Sequence, residues 1–119
     1  ALSDNLFLYF GSAWCPDCTN VTPKAVDFCK SQNENSDNYS VIYVSSDRSA
    51  EQMGENLTKF GSGKALALEY DSAIREELKQ TTGCFAGSEQ SKWPSVARKH
   101  GIPSLFKIQG DKIELVKEW

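Results

Sequence analysis

The sequence predicts a single α/β domain: a central mixed β-sheet flanked by helices and finished by a β-hairpin. Three observations point to it. Short β-branched and aromatic runs alternate with helical patterns through the first half of the chain. Two strand-length runs at the end flank a glycine-containing turn. A length of 119 residues suffices for one modest core, so residues 1–119 are read as one domain.

The first strand is the apolar run LFLYF, residues 6–10, which Gly11 and Ser12 break. Pro16 then falls just inside a helix start, where its missing N–H costs nothing. Val21, Ala25, Val26 and Phe28 give that helix an apolar face to about residue 30, with a kink expected at Pro23. A polar loop, SQNENSDN, covers residues 31–38, and VIYVS at residues 41–45 is the next buried strand. Asp47 or Ser49 caps a second helix to about Phe60, which Gly61 and Gly63 end. KALALEY, residues 64–70, is too short to separate strand from irregular core segment. Asp71 caps a helix to about Gln80, and TTGCFAGSEQS, residues 81–91, reads as loop. Residues 93–100 form a short helix with Pro94 near its start and Gly101 at its end. SLFKI and KIELV, residues 104–108 and 112–116, make the closing hairpin across Gln109-Gly110-Asp111. Parallel strands with crossover helices come first, and an antiparallel pair closes the sheet.

The totals exclude several classes. Hydrophobic residues make up 39% of the chain, with three Trp, four Tyr and six Phe, which argues against disorder. No apolar run approaches the roughly 20 residues of a membrane-spanning helix. A net charge of -3 gives no basic face for nucleic acid. The charge-rich run REELKQ, residues 75–80, reads as a solvated helix face. The chain opens at Ala1 with no charged leader and apolar signal core, as a processed or excised piece would. Three N-x-S/T sequons, at Asn20, Asn38 and Asn56, are read as chance. Four cysteines do not make a disulfide-dense secreted scaffold, so a reducing, cytoplasmic setting is expected.

The chemistry concentrates in YFGSAWCPDCTNVTP, residues 9–23. It places a C-x-x-C pair, Cys15 and Cys18, between a strand and a helix. Cys15 at the helix N-cap would meet unpaired N–H groups and the positive end of the dipole, which favour a thiolate. Cys18, one turn later on the same face, can resolve a mixed disulfide formed at Cys15. Trp14 can cover the pair and offer an apolar docking surface. A structural zinc site needs four ligands, but Cys29 and Cys84 are isolated and His100 is the only histidine. A purely structural Cys15–Cys18 disulfide would close too short a loop to stabilise much.

YFGSAWCPDC, followed by TPKAV, VIYVSSD and HGIPSLF, resembles the thioredoxin superfamily over about residues 6–116. Thr22-Pro23, Ser46-Asp47 and ALALEYD make it most similar to the tryparedoxin and nucleoredoxin branch. The resemblance implies a thioredoxin-like fold with Cys15 as attacking and Cys18 as resolving thiol. Ile102-Pro103 matches the family's cis-proline, which faces the cysteines and helps bind substrate backbone. Trp14, Pro16 and Asp17 complete the expected site, with no metal. No bound cofactor is implied, because the Cys15–Cys18 dithiol carries the electrons. Implied partners are disulfide-containing client proteins, a peroxiredoxin among the candidates, and an external thiol reductant or reductase; nucleic acid and membrane are not expected.

Three features depart from the family pattern. Tyr9 stands where classical thioredoxins carry a buried carboxylate, so the acid-base partner must differ. Asp17 replaces a proline usual in tryparedoxins; it suits the helix N-terminus, but its charge opposes a thiolate at Cys15. WCPDC also looks like the cytosolic fourteen-kilodalton thioredoxin-related protein. The chain ends at Trp119, so the family's last helix is expected to be absent or truncated, with one sheet face thinly covered.

The expected activity is reduction of protein disulfides. The alternative is a redox-responsive binding module with little turnover, motivated by the long loop around Cys84. An oxidase or isomerase of a secretory compartment is a third class, opposed by Asp17. Among the remaining residues, Cys29 and Trp93 read as core and Lys24 and Asp27 as solvated. Cys84 reads as an ordinary exposed thiol, with regulation through a mixed disulfide or dimer as the sharper alternative, and His100 as a partner of its helix's last carbonyls.

Overall fold

The computed structural model describes residues 6–31, 40–58, 65–109 and 112–118. Five strands form one sheet in the order β3-β2-β1-β4-β5. They are β1 Leu6–Gly11, β2 Ser40–Ser45, β3 Ala65–Ala67, β4 Ser104–Gln109 and β5 Lys112–Glu118. The first three are parallel, and β4 and β5 add the antiparallel hairpin. The helices are α1 Pro16–Ser31, α2 Ala50–Thr58 and α3 Ala73–Thr82, followed by a 3₁₀ segment, Gly87–Lys92.

Strand alternation sorts the core into two faces. Phe7, Tyr9, Val41 and Tyr43 point to one side, where Val21 and Ala25 of α1 and Met53 of α2 cover them. Leu8, Phe10, Val44 and Phe106 point to the other, against Cys84 and Leu78 of α3. KALALEY resolves as β3 because Ala65–Ala67 pairs in parallel with Val41, Ile42 and Tyr43. Helix α1 continues through Pro23 to Ser31. Lys24 and Asp27 are exposed as expected; the Cys29 side chain, Phe60 and Asn38 lie outside the described residues. The third sequon is not a glycan site in the folded chain: Asn56 is fully buried and its Nδ2 donates to Tyr43 Oη at 2.6 Å.

Several expectations are corrected. The cap of α3 is Ser72 rather than Asp71, and its Oγ accepts from Ile74 N at 3.3 Å. Ser49 caps the start of α2 through Gln52 N, whereas Asp47 is buried in the site. REELKQ is only half solvated. Arg75 and Lys79, four residues apart on one helix face, are 6% and 1% exposed. Residues 93–100 form turns and extended chain rather than a helix. The reason is visible at Gly83: its carbonyl accepts from both Lys99 N and His100 N, which draws the chain out into a bridge with Cys84. Gln90 Nε2 fixes the preceding turn by donating to Trp93 O and Val96 O. With no helix to cap, His100 pairs instead with Glu118, Nδ1 to Oε1 at 2.9 Å. Cys84 is fully buried, not exposed.

Candidate active site

The C-terminal end of β1 gathers the site. Its register pairs Gly11 with Ser45 of β2 and Phe10 with Ser104 of β4. The segment 12–15, the turn 46–48 and residues 102–103 therefore meet at one end of the sheet's inner strands. The Ile102–Pro103 peptide bond is cis. Pro103 is buried and Ile102 half-buried, while Pro16 and Asp17 lie exposed on the first turn of α1.

Cys15 directly precedes α1 and is half-buried; Cys18, in its first turn, is fully buried. Neither sulfur is in a disulfide. Cys18 N donates to Cys15 Sγ at 3.4 Å, so the sulfur occupies the position of an N-cap acceptor. Burial pushes the Cys18 thiol well above its ordinary range, and the neighbouring Cys15 sulfur adds to the shift. At neutral pH Cys18 is therefore a proton-bearing thiol behind a more accessible sulfur.

Trp14 is pinned at its polar edge, with Nε1 donating to Ser46 O at 2.7 Å, and Arg48 covers its ring at 4.7 Å. Asp47 organises the loop that carries it. Its Oδ1 accepts from Ala13 N at 2.5 Å, and its Oδ2 accepts from Tyr43 Oη at 2.6 Å and Ser45 Oγ at 2.7 Å. Tyr9, which stands where classical thioredoxins carry a buried carboxylate, packs fully buried against Tyr43, rings 6.2 Å apart. Asp47 supplies a buried carboxylate to this end of the sheet from the turn after β2. A second buried carboxylate, Glu89, accepts from Ser46 Oγ and Lys79 Nζ, both at 2.6 Å. Sequence reasoning offered Asp47 or Ser49 as a helix cap, read Arg75 and Lys79 as part of a solvated helix face, and gave Arg48 and Glu89 no role in the site. The one available signal was the polar trio Ser45-Ser46-Asp47 following a buried strand.

Cys84 and His100 stand apart from the cysteine pair, bridged to each other beside β4. Cys84 Sγ lies 3.5 Å from Gly101 O, and burial pushes its thiol up to about 12. Trp93, half-buried, meets Phe85 edge-on at 5.2 Å. Among the described residues no group of three His, Cys, Asp or Glu side chains could hold a metal, and no helix is long and apolar enough to cross a membrane.

A family model described as thioredoxin-like matches residues 4–109. The chain belongs to that family. Human nucleoredoxin is 34% identical over 109 residues, 89% of this chain and 21% of the relative. Probable nucleoredoxin 1 of Arabidopsis thaliana is 38% identical over 76 residues, 64% of this chain and 13% of that protein. This thioredoxin-like chain thus spans about a fifth or less of these relatives' length. Among solved structures, tryparedoxin II complexed with glutathionylspermidine superposes with a TM-score of 0.65 at 25% identity, over 98% of this chain and 69% of the other. Thioredoxin from Wuchereria bancrofti shares the fold, with a TM-score of 0.64 at 24% identity over 99% of this chain and 69% of the other. The relatives place the chain in the tryparedoxin and nucleoredoxin branch of a family of oxidoreductases.

Proposed function

We propose that the chain reduces protein disulfides through Cys15 and Cys18. The observation that carries this reading is the half-exposed Cys15 sulfur capping α1, with the buried Cys18 one turn behind it. Cys15 as thiolate attacks one sulfur of a client disulfide. The client S–S bond breaks, a Cys15–client disulfide forms, and the departing client sulfur takes up a proton. Cys18 then loses its proton and attacks Cys15 Sγ. A Cys15–Cys18 disulfide forms, the second client sulfur leaves as a thiol, and two electrons have passed to the client. A dithiol reductant, small molecule or protein, restores the pair. Pro103 and Ile102, at the same end of the sheet, would line the client backbone, and Trp14 would offer it an apolar face.

The alternative, a redox-responsive binding module with little turnover, draws on the long loop around Cys84; in that stretch Gly87–Lys92 forms a 3₁₀ segment and Cys84 is buried. The test is insulin-disulfide reduction with dithiothreitol as reductant. Cys15→Ser abolishes turnover, and Cys18→Ser accumulates a mixed disulfide with client. Undiminished turnover by Cys15→Ser would sink the assignment.

A further inference from the structure

A cavity of about 350 Å³ opens between the turn 46–48, α3 and the 3₁₀ segment, with Trp14 as one wall. Arg48, Arg75 and Lys92 line it, together with Asp47 and Glu89. Both carboxylates are already engaged: Asp47 by Ala13, Tyr43 and Ser45, Glu89 by Lys79, Ser46 and Ala86 N. Among the described residues none of the three cations forms an ion pair with a carboxylate. Arg48 lies over the Trp14 ring, Lys92 over Trp93 at 5.8 Å, and Arg75 over Tyr70 at 4.3 Å. Arg75 is only 6% exposed; it donates Nη1 to Ser45 O at 2.9 Å, and its Nε is buried without a hydrogen-bond partner. A buried guanidinium with a spare donor and no counter-ion is a costly arrangement unless something completes it.

We propose that this cavity is a carboxylate subsite, which takes an acidic side chain of a client polypeptide close to the disulfide that Cys15 attacks. The chemistry fits: planar guanidinium donors match a carboxylate, and Trp14, which lines the cavity, is the residue directly before Cys15. A net charge of -3 over the whole chain disfavours acidic clients in general, so this local excess of cations would select them by position. The inference rests on the proposed disulfide reduction.

The test uses disulfide-looped peptides that differ only in Glu, Gln or Lys beside the disulfide, with oxidised glutathione as a small carboxylate-bearing disulfide. Non-reducible thioether analogues of the same peptides measure binding without turnover. The Glu peptide is expected to show a KM about tenfold below the Gln peptide, or about 1.4 kcal/mol, with kcat unchanged. Lys92→Ala and Arg48→Ala both narrow that gap, Lys92→Ala while leaving the Gln peptide's KM unchanged, and added salt narrows it in the wild type. Equal KM and equal analogue affinity for Glu and Gln peptides overturn the proposal. If those variants instead weaken only oxidised glutathione, the carboxylate belongs to a small thiol and the polypeptide assignment is overturned. A preference seen in analogue binding, with no peptide turned over, upholds the subsite and overturns the reductase reading instead.

Discussion

Lys79 Nζ lies 2.6 Å from Glu89 Oε2, and the lysine side chain is 1% exposed. The other carboxylate oxygen accepts from Ser46 Oγ and from Ala86 N at 3.0 Å. One buried ion pair therefore joins α3, the 3₁₀ segment and the turn that holds Trp14.

Removing one partner of such a pair is far worse than never having it. Glu89→Gln should cost about 3–5 kcal/mol, because it leaves the Lys79 ammonium buried without a counter-charge. Combining it with Lys79→Met should restore much of the loss. Burial opposes the charged Glu89, but the bonds from Lys79 and Ser46 outweigh it and hold the carboxyl below its ordinary range. The stabilisation is thus complete above the unfolded carboxylate's pKa of about 4.3 and is lost as pH falls through the lower folded value. Urea titrations between neutral pH and pH 3 check this: the wild type should lose more stability on acidification than the double variant. Equal acid slopes would refute the linkage.

Asp47 is the acceptor on which the loop 12–15 depends. Asp47→Asn puts an NH₂ where Oδ2 now accepts from two hydroxyls, leaving Tyr43 and Ser45 to find other partners. A loss of about 1–3 kcal/mol is expected. Because Ala13 N also bonds Asp47, slower disulfide exchange at Cys15 should accompany it. Asp47→Glu, which keeps the charge but lengthens the side chain, should not rescue the rate. Paired measurements of thermal unfolding and of single-turnover reduction separate the two effects.

The strands were legible because their signal is local. LFLYF and VIYVS alternate faces in the sheet, and the turn at 109–111 left the hairpin no other reading. The cysteine pair was legible because C-x-x-C between strand and helix is a local pattern too. What escaped was set by tertiary contacts. Arg75 and Lys79 look like a solvated face until Ser45 and Glu89, far along the chain, supply their partners. Cys84 lies in a short stretch flanked by Gly83 and Gly87 that reads as an exposed loop, yet β4 and α3 close over it. Pro94 and Gly101 mimic helix ends, but the Gly83 carbonyl captures residues 99 and 100 before any helix can form.

Gly83 explains that last case and can be tested alone. It ends α3 with φ at +67°, and a Cβ there would sit 2.9 Å from Ala97 O. The left-handed conformation alone costs an L-residue about 1–2 kcal/mol, and the contact with backbone adds to it. Gly83→Ala should therefore lower stability by at least about 1–2 kcal/mol. Gly54, whose Cβ would meet nothing within 4 Å, is the control: Gly54→Ala should stabilise α2 slightly. Denaturant midpoints of the two variants should move in opposite directions.

The thiols should differ sharply in reactivity, and the differences carry a pH signature. Cys15 is the accessible sulfur of the three whose side chains are described, whereas Cys18 and Cys84 are both fully buried. Iodoacetamide at neutral pH should alkylate Cys15 first, with Cys18 and Cys84 modified only on unfolding; mass-spectrometric mapping reads each site separately. Burial lifts the Cys84 thiol to about 12, above the unfolded value of about 8.5. The folded state thus binds a proton that the unfolded state releases, so Cys84 should contribute a loss of stability as pH rises from about 8.5 toward 12. Cys84→Ala should flatten the alkaline limb of a stability-against-pH curve, at the expense of a small cavity against Phe106 and Leu78. Alkylation of native Cys84 at neutral pH as fast as that of Cys15 would show that the α3–β4 side opens readily, and would return Cys84 to the list of accessible thiols.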